Sequence, residues 1–150
     1  MSDFKTMCAQ LNALADTDCS AMPLLSNASA LIAVSMEDVS WAGFYLCKDG
    51  HLVLGPFQGK PACIHIAYGR GVCGASVEND EILQVGNVAT FPGYIACDAE
   101  AQSELVIPLH KNGEIFGVLD LDSNSLARFT GEDVEGLAAF AAVLEERIIL

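Results

Sequence analysis

Two short strings, "KDG" at residues 48–50 and "KNG" at 111–113, each sit between apolar runs, and they constrain the fold more than any other feature of the chain. Asp-Gly and Asn-Gly accept the left-handed backbone that a two-residue hairpin loop demands. "WAGFYLC" and "HLVLGPF" therefore read as one antiparallel hairpin, and "SELVIPLH" with "EIFGVLDLD" as a second. Between them, "ACIHI" reads as a third strand, "GRGVCGASVEN" as a glycine turn entering a short helix, and "EILQVG" as a fourth strand. The stretch "NVATFPGYIACDAEAQ" keeps no clean period, and irregular loops of this length commonly carry function.

The two ends of the chain switch to a helical period. Phe4, Met7, Cys8, Leu11 and Leu14 recur on one face behind a cap at Ser2 or Asp3. A second helix opens near Pro23, whose fixed φ suits a first turn, and carries Leu24, Leu25, Ala28, Leu31, Ile32 and Met36 as its apolar stripe. At the other end Thr130 and Asp133 have capping-box spacing ahead of Val134, Leu137, Ala138, Ala141, Leu144 and Ile148. Helices at both ends of a hairpin-built sheet predict an α+β fold with the terminal helices packed on one sheet face. The expected organisation is a single domain over 1–150: helices in 1–40, sheet and loops in 41–128, and a closing helix in 130–150. With 52% hydrophobic residues, 150 positions suffice for one substantial core.

Charge narrows the partners. Seven Lys plus Arg against twenty Asp plus Glu give a net charge of −13, which repels nucleic acid and anionic membranes and favours a small cationic or zwitterionic ligand. No apolar run is long enough to span a bilayer, and "MSDFKTMCAQ" lacks the pattern of a signal peptide, so a soluble, cytoplasmic protein is expected.

Six cysteines in such a chain are reduced by default, each a small apolar side chain or a reactive group. Cys63 falls on or beside a strand, Cys73 at the start of the short helix, and Cys97 in the irregular loop. Unpaired N–H groups at a helix start stabilise a thiolate and a loop thiol is open to substrate, so Cys73 and Cys97 are the candidates for reactivity. The alternative is that all three are inert. Cys63, His65, Cys73 and Cys97 would suit zinc chemically, but their spacing matches no usual ligand pairing, and no metal or cofactor is expected. His51, His65 and His110 fall in strand segments, where a half-exposed side chain is the ordinary role of a histidine.

Acidic residues form a second constellation. Asp120 and Asp122 in "GVLDLDS" point to one face of their strand, and two carboxylates there need a cation, a shared proton or a solvent cleft. Lining a pocket, they would hold an ammonium group, or one would keep a raised pKa and supply a proton; on an open face they would simply be solvated. Asp98 and Glu104 lie nearby in sequence. Trp41, Phe44 and Tyr45 have the spacing of core aromatics, although a Trp in a pocket wall packs well against a thioether.

Taken together, "WAGFYL", "LVLGPFQGKPACIHI", "GRGVCGAS", "FPGYIACDAEAQSELVIPL" and "GVLDLDS" resemble the free methionine-(R)-sulfoxide reductase family, a catalytic branch of GAF domains. The resemblance runs from about Trp41 to Phe129 and implies a GAF-like antiparallel sheet. It implies Cys97 as the attacking thiol, Cys63 as the resolving thiol in a Cys63–Cys97 disulfide, and Cys73 as an alternative resolver. It implies Glu104, Asp120 and Asp122 as substrate-binding carboxylates, with Trp41 and Tyr45 walling the thioether end. The implied substrate is free methionine-R-sulfoxide, the implied recycling partner a thioredoxin-type reductant, and the family's frequent homodimer extends here as an expectation. Three positions depart from the family pattern: Tyr94 stands where a histidine is common, Asn87 where an aspartate is common, and a further loop histidine is missing around Ala89 and Thr90. The competing reading is a non-catalytic GAF sensor of a small molecule or of oxidation.

Overall fold

The structure, a computed structural model, describes residues 2–150. Six strands form one antiparallel sheet: β1 (Trp41–Lys48), β2 (His51–Gln58), β3 (His65–Ala67), β4 (Leu83–Val85), β5 (Ser103–Lys111) and β6 (Glu114–Ser123). Their spatial order is β3-β2-β1-β6-β5-β4. Both sequence hairpins are present. Asp49 and Gly50 turn at φ 52° and 82°, Asn112 and Gly113 at 55° and 80°, the left-handed pair that matches the twist of the flanking strands.

Helices α1 (Phe4–Thr17), α2 (Ala21–Ser35) and α4 (Gly131–Arg147) cover one sheet face, while α3 (Gly71–Asn79) lies against β3, β5 and β6. Asp3 caps α1 by accepting from the Thr6 N–H, and Thr130 with Asp133 closes a full capping box on α4. The main core lies between the three helices and the sheet, where Met7, Leu11, Leu25, Ile32, Leu137, Phe140 and Leu144 meet Phe44, Leu105, Ile107, Leu109, Leu119 and Leu121. Because strand side chains alternate, the neighbours of those residues face the other way. There a smaller apolar cluster gathers Trp41, Tyr45, Leu52, Ile66, Val72, Cys73, Val106 and Val118.

Two strand expectations are corrected in length. "ACIHI" pairs only from His65, and "EILQVG" only over Leu83–Val85. The backbone of 60–63 has other partners: the Trp41 indole N–H donates to the Lys60 carbonyl at 3.1 Å, and the Tyr45 hydroxyl donates to the Cys63 carbonyl at 2.9 Å. Side chains from β1 thus lift this segment off the sheet and arch it over the second face. At the far edge His110 bridges two layers, its Nε2 2.7 Å from Asp80 at the end of α3 and its Nδ1 3.1 Å from Glu145 on α4.

Candidate active site

The second face of the sheet presents its polar residues in one cross-strand row. Glu104 on β5 pairs with Asp122 on β6, and Asp122 with Trp41 on β1; one step along, Val106, Asp120 and Gly43 align in the same way. Gly43 has a reason to be glycine, because a Cβ there would collide with Phe57, which must come close enough to stack on Trp41 at 5.2 Å. Tyr45 also stacks on Trp41, at 5.9 Å. The aromatic wall and the acidic floor therefore share a register.

Trp41, Tyr45, Glu104, Asp120 and Asp122 line a pocket roofed by residues 60–62 of the arched segment, the start of α3 and the loop around Tyr94–Asp98. Its volume is about 40 Å³, space for a few water-sized groups. Cys63 and Cys97 are joined in a disulfide across this roof, 34 residues apart in sequence with Cα atoms 5.5 Å apart. The loop is held to α3 by the Gly71 N–H, which donates to the Gly93 carbonyl at 3.2 Å.

Cys73 is where the structure overturns the expectation of a helix-stabilised thiolate. Although it is the third residue of α3, its side chain is buried, 4% exposed, and its sulfur lies 3.9 Å from Glu104 Oε2. Burial, then the charges of Asp120 and Glu104, push this thiol well above its ordinary pKa. Any help from the helix N-terminus is outweighed by two carboxylates a few ångströms away.

The acids behave as a group. Burial is the first cause raising all three of Glu104, Asp120 and Asp122; mutual repulsion pushes Glu104 and Asp122 further, to well above the carboxylate range. Glu104 and Asp120 are close enough for one to donate to the other, so the pair holds a proton at pH values where free carboxylates have none. Asp120 Oδ1 is buried with no hydrogen-bond partner. This chemistry can protonate a departing oxygen and can also receive a cation.

A stability consequence follows. Groups with raised folded pKa values stabilise the protein fully below their unfolded values, and that contribution is lost as pH rises through the folded values. Glu104→Gln should therefore match the parent in melting temperature near pH 4.5 and exceed it increasingly up to pH 8, by about 2–4 °C for each kcal/mol of relieved repulsion. Calorimetry at several pH values measures this; a constant difference across the range would refute it.

Of the other departures noted in the sequence, only Tyr94 lines the pocket. Asn87 instead caps the short 3₁₀ turn Val88–Thr90, accepting from the Ala89 N–H at 3.0 Å, and Ala89 and Thr90 are exposed. The three histidines stay out of the pocket lining, with His51 Nε2 and His65 Nδ1 2.9 Å apart on the β2–β3 edge. Two basic residues at the rim went unseen in the sequence. Lys60 pairs with Glu100 at 3.0 Å, while Arg70, the residue before α3, is exposed and has no ion pair among the described residues. Only the position of Arg70 just ahead of "GVCG" could have singled it out.

A six-stranded antiparallel sheet with three helices on one face and a hollow on the other is the architecture of a GAF domain, and the GAF domain family matches residues 4–148. The free methionine-R-sulfoxide reductase of Escherichia coli (strain K12) is 49% identical over 90% of this chain and 82% of its own length. Among solved structures, fRMsr of Staphylococcus aureus in its reduced form superposes with a TM-score of 0.96 at 39% identity, over 99% of this chain and 97% of that one. The free methionine-R-sulfoxide reductase from Neisseria meningitidis, solved in complex with its substrate, gives a TM-score of 0.93 at 36% identity, over 98% and 91%. The chain belongs to the free methionine-R-sulfoxide reductase family of GAF-domain proteins.

Proposed function

We propose that this chain reduces free L-methionine-(R)-S-oxide to L-methionine by thiol chemistry at Cys97. The observation that carries the reading is a disulfide joining Cys63 to Cys97, with Cys97 lining one pocket together with three carboxylates whose pKa values burial raises. The Cys97 thiolate attacks the sulfoxide sulfur while the acidic floor gives a proton to its oxygen, which otherwise is a poor leaving group. The hydroxyl of the resulting adduct passes to the Cys97 sulfur as the new sulfur–sulfur bond breaks, so methionine departs with that electron pair and Cys97 is left as a sulfenic acid. The Cys63 thiol attacks that sulfenic acid, forming the disulfide and releasing water. A thioredoxin-type dithiol then exchanges with the disulfide, restoring both thiols and becoming oxidised itself. Cys73 is the alternative resolving thiol, though its depth and raised pKa favour Cys63.

Glu104, Asp120 and Asp122 take the substrate's ammonium and its oxygen, and the stacked Trp41 and Tyr45 take the methyl and thioether end. Tyr45 also fixes the Cys63 backbone through its hydroxyl. A peptide-bound substrate would lack the ammonium and leave buried carboxylates unpaired, which explains a preference for the free amino acid. A cytoplasmic setting fits a cycle that depends on a thioredoxin-type reductant and a chain with four further cysteines unpaired. Among the described residues no helix is long and apolar enough to cross a membrane.

The test is to incubate reduced protein with racemic free methionine sulfoxide and dithiothreitol and follow methionine by chromatography. Consumption should stop near half of the racemate; no more than one equivalent per chain would favour a redox sensor. Arg70 is placed to meet the substrate carboxylate at the rim. Arg70→Ala should raise KM roughly 5–10-fold with little change in kcat, the effect of losing one exposed charge-assisted hydrogen bond of about 1 kcal/mol. An unchanged KM would take Arg70 out of the site.

A further inference from the structure

Cys73 is a thiol that the forward reaction does not need, buried beside carboxylates that make it a poor nucleophile. Its sulfur, a Glu104 oxygen and an Asp120 oxygen all lie within 4.8 Å of one another. In a tetrahedral zinc site, bonds of about 2.3 Å to sulfur and 2.0–2.2 Å to oxygen set the sulfur-to-oxygen edge at about 3.6 Å. The observed 3.9 Å between Cys73 Sγ and Glu104 Oε2 needs only a small contraction. Asp120 is 5% exposed, one of its carboxylate oxygens belongs to this cluster, and its Oδ1 lacks any hydrogen-bond partner. A substrate ammonium would satisfy that oxygen yet offers nothing to a sulfur ligand; a metal ion satisfies both. One thiol with two carboxylates suits a borderline-soft, low-coordinate ion rather than calcium or magnesium, which demand six or more oxygens. The cavity of about 40 Å³ has space for an ion and a water as fourth ligand.

We propose that Cys73, Glu104 and Asp120 form a binding site for a divalent cation of the zinc class, and that its occupancy excludes the sulfoxide. The exclusion rests on the reductase reading; the metal site does not. It makes the enzyme inhibitable by free zinc at the carboxylates that receive substrate, and the chain's net charge of −13 draws such cations in.

Cobalt(II) is the probe, added to the full chain in its Cys63–Cys97 disulfide form so that neither of those sulfurs can ligate. One cobalt per chain should bind with a thiolate-to-metal charge-transfer band in the near ultraviolet, and Cys73→Ser should lose that band. Asp120→Asn and Glu104→Gln, each relieved of a buried charge, should bind cobalt at least about 10-fold more weakly. In the parent, zinc should raise the KM for methionine sulfoxide without lowering kcat. No cobalt binding, a band that survives Cys73→Ser, or equal affinity in both carboxylate variants would overturn the site, the last reading serving even if Cys73→Ser misfolds. Cobalt binding without any sulfoxide turnover would sink the reductase reading alone; turnover without cobalt binding would sink the metal site alone. Noncompetitive zinc inhibition would retain the site and remove the exclusion.

Discussion

Cys97→Ser is expected to bring sulfoxide reduction down to the assay background, a loss on the order of 10⁴–10⁶-fold in kcat. A serine hydroxyl at this position has no base within the pocket ready to ionise it, since the nearby carboxyls already hold protons, and an alkoxide is far scarcer than a thiolate at neutral pH. The reduced fold should be unaffected, because Cys97 is half-buried in a loop rather than packed in either core cluster. Methionine release measured in one turnover, with no external recycling required, isolates the attack step. Retained single-turnover activity would move the nucleophile to another cysteine.

Cys63→Ser should separate chemistry from recycling. In a single turnover it should still release about one methionine per chain, and with a thioredoxin-type reductant it should then stop, because the sulfenic acid has no partner to convert it into the disulfide that such reductants open. The same change removes a cross-link over 34 residues, which on chain-entropy grounds stabilises the oxidised protein by about 3–4 kcal/mol. Oxidised and reduced parent protein should therefore melt at different temperatures, and the difference should vanish in the variant. Thioredoxin-supported turnover at the parent rate would hand the resolving step to Cys73. That outcome would require the buried thiol to leave the Glu104 pocket, since its sulfur is 3.9 Å from that carboxylate.

What the sequence disclosed was local. Asp49-Gly50 and Asn112-Gly113 announce their hairpins, and Thr130 with Asp133 announces a helix start, because those signals act within a few residues of themselves. The shared face of Asp120 and Asp122 follows from strand alternation and needed no tertiary information. The pairing of Cys63 with Cys97 did not come from spacing; the family resemblance implied it, and the structure contains it. Three features escaped because they are set at a distance. Cys73 looked like an activated thiol from its helix position, but its pKa is raised first by burial and then by acids from β5 and β6, 31 and more residues away in sequence. The strand expected at Ala62–Ile66 was shortened by hydrogen bonds from Trp41 and Tyr45, residues on another strand. Arg70 carries meaning only once the pocket rim exists around it.

Strand β6 carries a double assignment. Leu119 and Leu121 complete the helix-side core, while Asp120 and Asp122, threaded between them, furnish the pocket floor. Inserting or deleting one residue ahead of this run would swap the two sets, driving carboxylates into the apolar interior and leucines into the hollow. Misfolding and loss of chemistry would thus arrive together, so a frame error here cannot yield a stable but inert protein.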